Sequence, residues 1–301
     1  MLSTFSVMYA NDEYIGERLM PAVPVDHRSN VYTVYPKRER FNFPDDTLGQ
    51  RSRANEVDAS RTTDNYSVKD YGLMNFLDLD TIANQDAPLN EMLDLLEAVN
   101  EGIAYKREVR IATIVQASGN YGGNTGNAAT KWDTANTGGT IIQDVAAANA
   151  AIWKGHSPTR KIGVTTIDNW NSLFIANPAL LDKIKYTQRG IILPDLVASM
   201  FELDEILIAR ARSDSANSGQ TASYARIWTN DFFAILSVAT RPSLRSLHFG
   251  STFRMNGTPL TTEWFDPAVG VRGGTYAKVA VSEDHKVVAG DAGYYINDCK
   301  T

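Results

Sequence analysis

Apolar residues at Leu89, Met92, Leu96, Val99, Ile103 and Ile114 recur mainly at three- and four-residue intervals, which predicts one amphipathic helix over 88–116. At 1.5 Å per residue such a rod is on the order of 43 Å long. Asp86 and Pro88 suit its entry, Lys106, Arg107 and Arg110 sit in the half where the helix dipole favours cations, and only Gly102 weakens the pattern. The middle of the chain alternates element types. DVAAANAAIWKG predicts a short helix, 162–165 a buried strand, and a helix after it breaks at Asn177-Pro178. Pro194 opens another helix, and DEILIARAR, YARIW and FFAILSVA read as strands. In the last fifty residues the pattern changes to alternation with Gly, Pro and Asp breaks, as in antiparallel strands. It is clearest at 276–281, where Tyr276, Lys278 and Ala280 would face one way and Ala277, Val279 and Val281 the other.

One segment fits neither period. Residues 36–70 carry 14 charges in 35 positions, about double the density of the whole chain, and have neither a helical nor an alternating apolar face. Such a stretch cannot bury enough surface to offset its ordering entropy, so it calls for an outside partner. Arg38, Arg40, Arg51, Arg53 and Arg61 are interspersed there with Glu56, Asp58 and other acids. Arginine pairs carboxylates in bidentate fashion, but exposed pairs contribute little unless a neighbour shields them. These seven residues are the candidate contacts between subunits.

Composition narrows the function classes. With 301 residues, 43% of them hydrophobic, the chain can bury a substantial core. A formal charge of -6 argues against a surface that grips nucleic acid. The one cysteine, Cys299, permits no intrachain disulfide and fits synthesis in a reducing compartment. The first twenty residues lack a secretion pattern, no apolar run is long enough to cross a membrane, and the sequons at Asn65 and Asn256 are read as chance matches.

Catalytic chemistry finds no foothold. His27, His156, His248 and His285 lack metal-ligand spacing, and GNYGGNTGNAATK lacks the GxxxxGK[ST] of a phosphate loop and reads instead as a loop or irregular hairpin. Asp78, Asp80 and Asp86 are better explained by a solvated strand face and a helix cap than by a divalent ion. No GxSxG elbow occurs, and no carboxylate pair is singled out. The expectation is no catalytic residue, no cofactor and no metal.

The order of segments resembles the major capsid proteins of tailed phages of the Hong Kong 97 type, over nearly the whole chain. The likeness is carried by IGERLMPAVPVDHRSNVYTVYPK, the charged loop with its following helix, DKIKYT, PDLVASMFELDEILIARAR, SYARIW with FFAILSVATRPSL, and EDHKVVAGDAGYYI. This resemblance implies an α+β fold with an N-terminal arm (1–35), an extended β-hairpin loop (36–71), a peripheral domain whose first part (72–143) holds the spine helix, an axial domain (144–250), and peripheral return strands (251–301). It further implies a coat protein that self-assembles through pentamers and hexamers into an icosahedral virion shell around double-stranded DNA, bound without sequence specificity, after synthesis in the host cytoplasm. Portal, scaffolding and decoration proteins are the implied partners, and because the chain begins almost at the arm, scaffolding is expected to be separate or absent. Two other readings compete: an encapsulin-like nanocompartment packaging enzyme cargo, and a small-molecule enzyme whose charged loop is a lid.

Overall fold

The computed structural model describes residues 11, 13–37, 41–57, 60–84, 90–133, 139–153, 159–175, 177–185, 192–217, 219–229, 231–241 and 246–301. In chain order these form α1 (Gly16–Leu19), β1 (Ala22–Val25), β2 (Ser29–Val34), β3 (Thr62–Ser67), β4 (Lys69–Asp78), α2 (Leu79–Asn84), α3 (Glu91–Val115) and β5 (Thr125–Asn127). There follow α4 (Ile141–Ala151), β6 (Thr159–Thr166), α5 (Pro178–Ile184), α6 (Pro194–Met200), β7 (Glu205–Ala209), β8 (Arg212–Asp214), β9 (Tyr224–Arg226) and β10 (Phe232–Ala239). The chain ends with β11 (Gly250–Met255), β12 (Leu260–Asp266), β13 (Gly274–Val287) and β14 (Gly293–Asn297).

Two five-stranded sheets organise the molecule. In the second, β5-β14-β10-β6-β7, all eight residues of β10 are buried, as expected of a continuous apolar run at the centre of a sheet covered on both faces. Alternate β10 side chains supply two cores. Phe233 and Ile235 pack with Val145 and Ala148 of α4, with Val197 of α6, and with Trp170 and Phe174 of an intervening helical turn. Phe232, Ala234, Leu236 and Val238 pack instead with Leu19 of the N-terminal segment and with Ile111, Ala112 and Val115 of α3. Strands β5 and β14 lie outside 144–250 in sequence, so membership of this sheet crosses both ends of the expected axial unit.

In the first sheet β13 is the trunk, paired with β4, β12 and β11, while β1 runs parallel to β11. Ala277, Val279 and Val281 are buried as the alternation predicts. They meet Leu95, Val99 and Ile103 of α3.

Helix α3 therefore serves both sheets. Its N-terminal half is buried through Leu95, Val99 and Ile103, and its C-terminal half through Ile111, Ala112 and Val115. At about 100° per residue these two stripes lie on roughly opposite sides of the helix. The single apolar face expected from sequence is corrected to two. The helix begins at Glu91, with the Asn90 side chain accepting the Leu93 N–H at 3.3 Å; Asp86, Pro88 and Leu89 lie outside the described residues. Its last turn, 112–115, holds no basic residue, and Arg107 and Arg110 before it meet a buried carboxylate on β13.

The polar segment 36–70 is not without structure throughout. Thr62–Ser67 pairs antiparallel with Ser29–Val34, from Ser29 opposite Ser67 to Val34 opposite Thr62. A periodicity search misses β3 because only Tyr66 on it is buried, and the backbone pairing does the rest. The root of this hairpin is fixed to the first sheet: Tyr66 and Tyr32 stack on Phe253 at 4.7 and 5.8 Å. Asp64 accepts from the Tyr32 hydroxyl and from Lys286, each at 2.6 Å. Burial first, and then the hydrogen bond to Asp64 and the negative charge it carries, raise the pKa of Tyr32.

Candidate assembly surface

Beyond the hairpin, residues 41–57 are exposed without exception. The tip has local order of its own. Asp45 accepts the Thr47 N–H at 3.1 Å and its hydroxyl at 2.8 Å, and the Asp45 carbonyl accepts from Asn55 at 2.8 Å. The Thr47 N–H, then its hydroxyl, hold the Asp45 carboxyl below the usual aspartate range. Phe43, Leu48 and Val57 are each more than half exposed.

The seven expected contact residues are not gathered into one cluster. Arg51, Arg53 and Glu56 stand in the exposed loop and make no ion pair with another described residue. Arg61 lies over the Tyr35 ring at 5.8 Å, at the hairpin end. Arg38, Arg40 and Asp58 lie outside the described residues. The base of the loop also touches the second sheet's side of the body. Lys37 forms an ion pair with Asp291 and lies 4.8 Å from the centre of the Trp153 ring, and Phe41 meets the same ring at 4.9 Å.

A second surface is an uncovered sheet face. The side of β4, β13 and β12 turned away from α3 carries a row of three rings: Phe76 and Tyr276 at 4.8 Å, then Tyr276 and Trp264 stacked at 5.2 Å. Beside them Met74 and Leu260 are more than half exposed. Gly72, Met74, Trp264, Lys278 and Ala280 line a shallow groove of about 470 Å³. No catalytic geometry accompanies it. Among the described residues no group of three His, Cys, Asp or Glu is placed to hold a metal ion, and Asp80 pairs with Arg272 at 3.0 Å.

Two buried carboxylates, neither anticipated from sequence, join the parts. Glu108 of α3 accepts the N–H groups of Ile15 and Gly16 at 3.2 and 2.7 Å, and the Trp228 indole N–H at 2.8 Å. Burial pushes its carboxyl above the ordinary glutamate value, against the pull of those donors. Glu283 of β13 is fully buried and takes Arg107 Nε at 3.0 Å and Arg110 Nη2 at 2.5 Å, with His285 at 3.3 Å. Burial alone would raise its pKa, but the His285 contact and the Arg107 charge together hold it down to about 2. Glu17 of α1 closes the cluster by meeting Arg254 at 2.5 Å and Arg107 at 3.4 Å. The only sequence signal was the run of charges at Lys106, Arg107, Glu108 and Arg110 in the C-terminal half of the helix.

No protein family searched matches the chain. The major capsid protein of Pseudomonas phage JBD67 is 26% identical over 306 residues, covering 99% of this chain and 95% of that protein. The major capsid protein of Burkholderia phage BcepMu is 23% identical, covering 86% and 84%. The capsid structure of cyanophage P-SCSP1u has the same fold, with a TM-score of 0.65 at 10% identity, covering 100% of this chain and 93% of that one. The chain has the Hong Kong 97-type capsid fold and is similar along nearly its whole length to phage major capsid proteins. As a coat protein it is structural rather than enzymatic, and its place is the virion capsid.

Proposed function

We propose that this coat protein closes into an icosahedral shell of pentamers and hexamers around double-stranded DNA, with the loop at 36–71 laid across a neighbouring copy. The observation that carries this reading is the loop itself: residues 41–57 are all exposed, yet the stretch contains Phe43, Leu48 and Val57. Leaving those side chains in water forgoes roughly 1.5–3 kcal/mol apiece, which burial against another subunit recovers. The bare ring face of β4, β13 and β12 supplies apolar surface of the matching kind, with Lys278 and Asp70 beside it for the loop's mixed charges. Arg38, Arg40, Arg51, Arg53, Glu56, Asp58 and Arg61 then act at the rim, where pairing sets register more than affinity.

In this reading the arm is 1–35, the second sheet with α4 and α6 forms the axial unit around 144–250, and the first sheet with α3 forms the peripheral unit. Host cytoplasm is the site of synthesis, and portal, scaffolding and decoration proteins are the further partners. The charge of -6 suits a wall that must not adsorb its DNA while being filled. Deleting 38–61 tests the proposal: particles should disappear from electron micrographs while the subunit stays folded and soluble. Normal particles from that deletion would defeat it, and protein cargo in place of DNA in wild-type particles would favour a nanocompartment.

A further inference from the structure

The base of the loop is held by its own chain in a way that assembly does not obviously need. Trp153 and Asp291 form a fixed cradle, because the Trp153 N–H donates to the Asp291 carbonyl at 3.2 Å and the Asn124 side chain donates to that same carbonyl at 3.2 Å. Gly290, next in line, packs so closely that an added Cβ would lie 2.4 Å from the Asn120 carbonyl oxygen. Asp291 lies in the turn before β14 of the second sheet, and Trp153 just after α4, which packs on that sheet. The hairpin that bears the loop is rooted on the first sheet, at Phe253. Lys37 and Phe41 thus reach from one sheet to the other, and the side chains they grip remain accessible: Trp153 is 42% exposed.

We propose that Lys37 and Phe41 clasp Trp153 and Asp291 of the same chain in the free subunit, and that opening this clasp is a step in assembly. The inference rests on the shell reading above and adds a control to it. While the clasp is shut, the base of the loop is tied to its own body, which restricts the directions in which the exposed Phe43, Leu48 and Val57 can be carried to a neighbour. The contact is suited to release. It consists of one partly exposed ion pair, a cation against a ring face and one tilted ring pair, each individually weak. An apolar surface on an adjacent copy competes with all three at once. The clasp therefore sets the concentration at which subunits begin to associate, and salt weakens it.

The decisive experiment locks the clasp shut. Lys37→Cys and Asp291→Cys are combined and joined by a short bis-maleimide, with Cys299 spared by its complete burial. Bridged subunits should stay unassembled by light scattering and electron microscopy, while the unbridged double variant and the wild type form particles. Assembly of the bridged protein would overturn the proposal. So would failure of the unbridged variant where wild type succeeds, since the contact would then belong to the shell. If wild type itself forms no particles at any concentration, the shell reading falls and the proposal with it. Independently, Asp291→Asn should lower the association threshold about threefold, the size of one exposed ion pair; an unchanged or raised threshold counts against the clasp.

Discussion

Trp228 donates its indole N–H to Glu108 at 2.8 Å, a buried carboxylate that forms no ion pair with any described cation. The acid is balanced by N–H dipoles alone, two of them from the backbone where α1 begins. One side chain of α3 thereby ties the N-terminal segment and the loop before β10 to the same point.

Glu108→Ala leaves three buried donors without an acceptor and should cost about 3 kcal/mol of subunit stability, read from urea unfolding. Glu108→Gln should cost less, since its amide oxygen still accepts while its NH₂ faces a donor. Because the folded state raises the pKa of Glu108, the wild-type stability term from this group is smallest above the raised value. It grows as pH falls toward the ordinary glutamate range, and Glu108→Gln should remove that rise.

Glu283 behaves in the opposite sense. Its folded pKa of about 2 lies below the reference 4.5, so its contribution is present above pH 4.5 and is lost as pH falls through the window down to 2. The loss amounts to about 3 kcal/mol. Acid unfolding followed by circular dichroism should show this slope in wild type and lack it in Glu283→Gln, which is itself destabilised at neutral pH by leaving Arg107 and Arg110 without their carboxylate.

Gly102 is the one weak helix former noted in α3. A Cβ there would lie 2.7 Å from the tip of Leu73, a flexible and 39% exposed side chain that has room to turn away. Gly102→Ala should therefore raise the unfolding midpoint, with a gain of up to about 1 kcal/mol from helix propensity.

Met74 stands 62% exposed on the bare ring face. Met74→Glu should change subunit stability by less than about 0.5 kcal/mol. It should nevertheless raise the concentration needed for association, about tenfold if Met74 sits in the buried centre of the contact. Equal assembly of both proteins by light scattering would remove this face from the interface.

Much of the fold was legible wherever one side chain period met one environment. FFAILSVA read as a strand and is one, 276–281 alternated as it is buried, and Asn177 caps α5 with its side chain accepting from Ala179 and Leu180. Legibility failed where two environments share an element. The apolar positions of α3 switch sides between Ile103 and Ile111, so no single face describes them, and β3 is a strand by backbone pairing rather than by pattern. The charged loop stood out by composition. Its cradle did not, because Lys37 and Asp291 are brought together only by the folding of everything between them. Glu108 and Glu283 were hidden for the same reason: a buried acid looks like a surface acid until its donors are in place.

The switch of sides along α3 has a mechanical meaning. A cylinder gripped by plates on opposite flanks, one near each end, drives them in opposing directions when it rolls. The 25-residue rod is in this sense a pinion between two racks, and a small turn about its axis would shear the two sheets past one another.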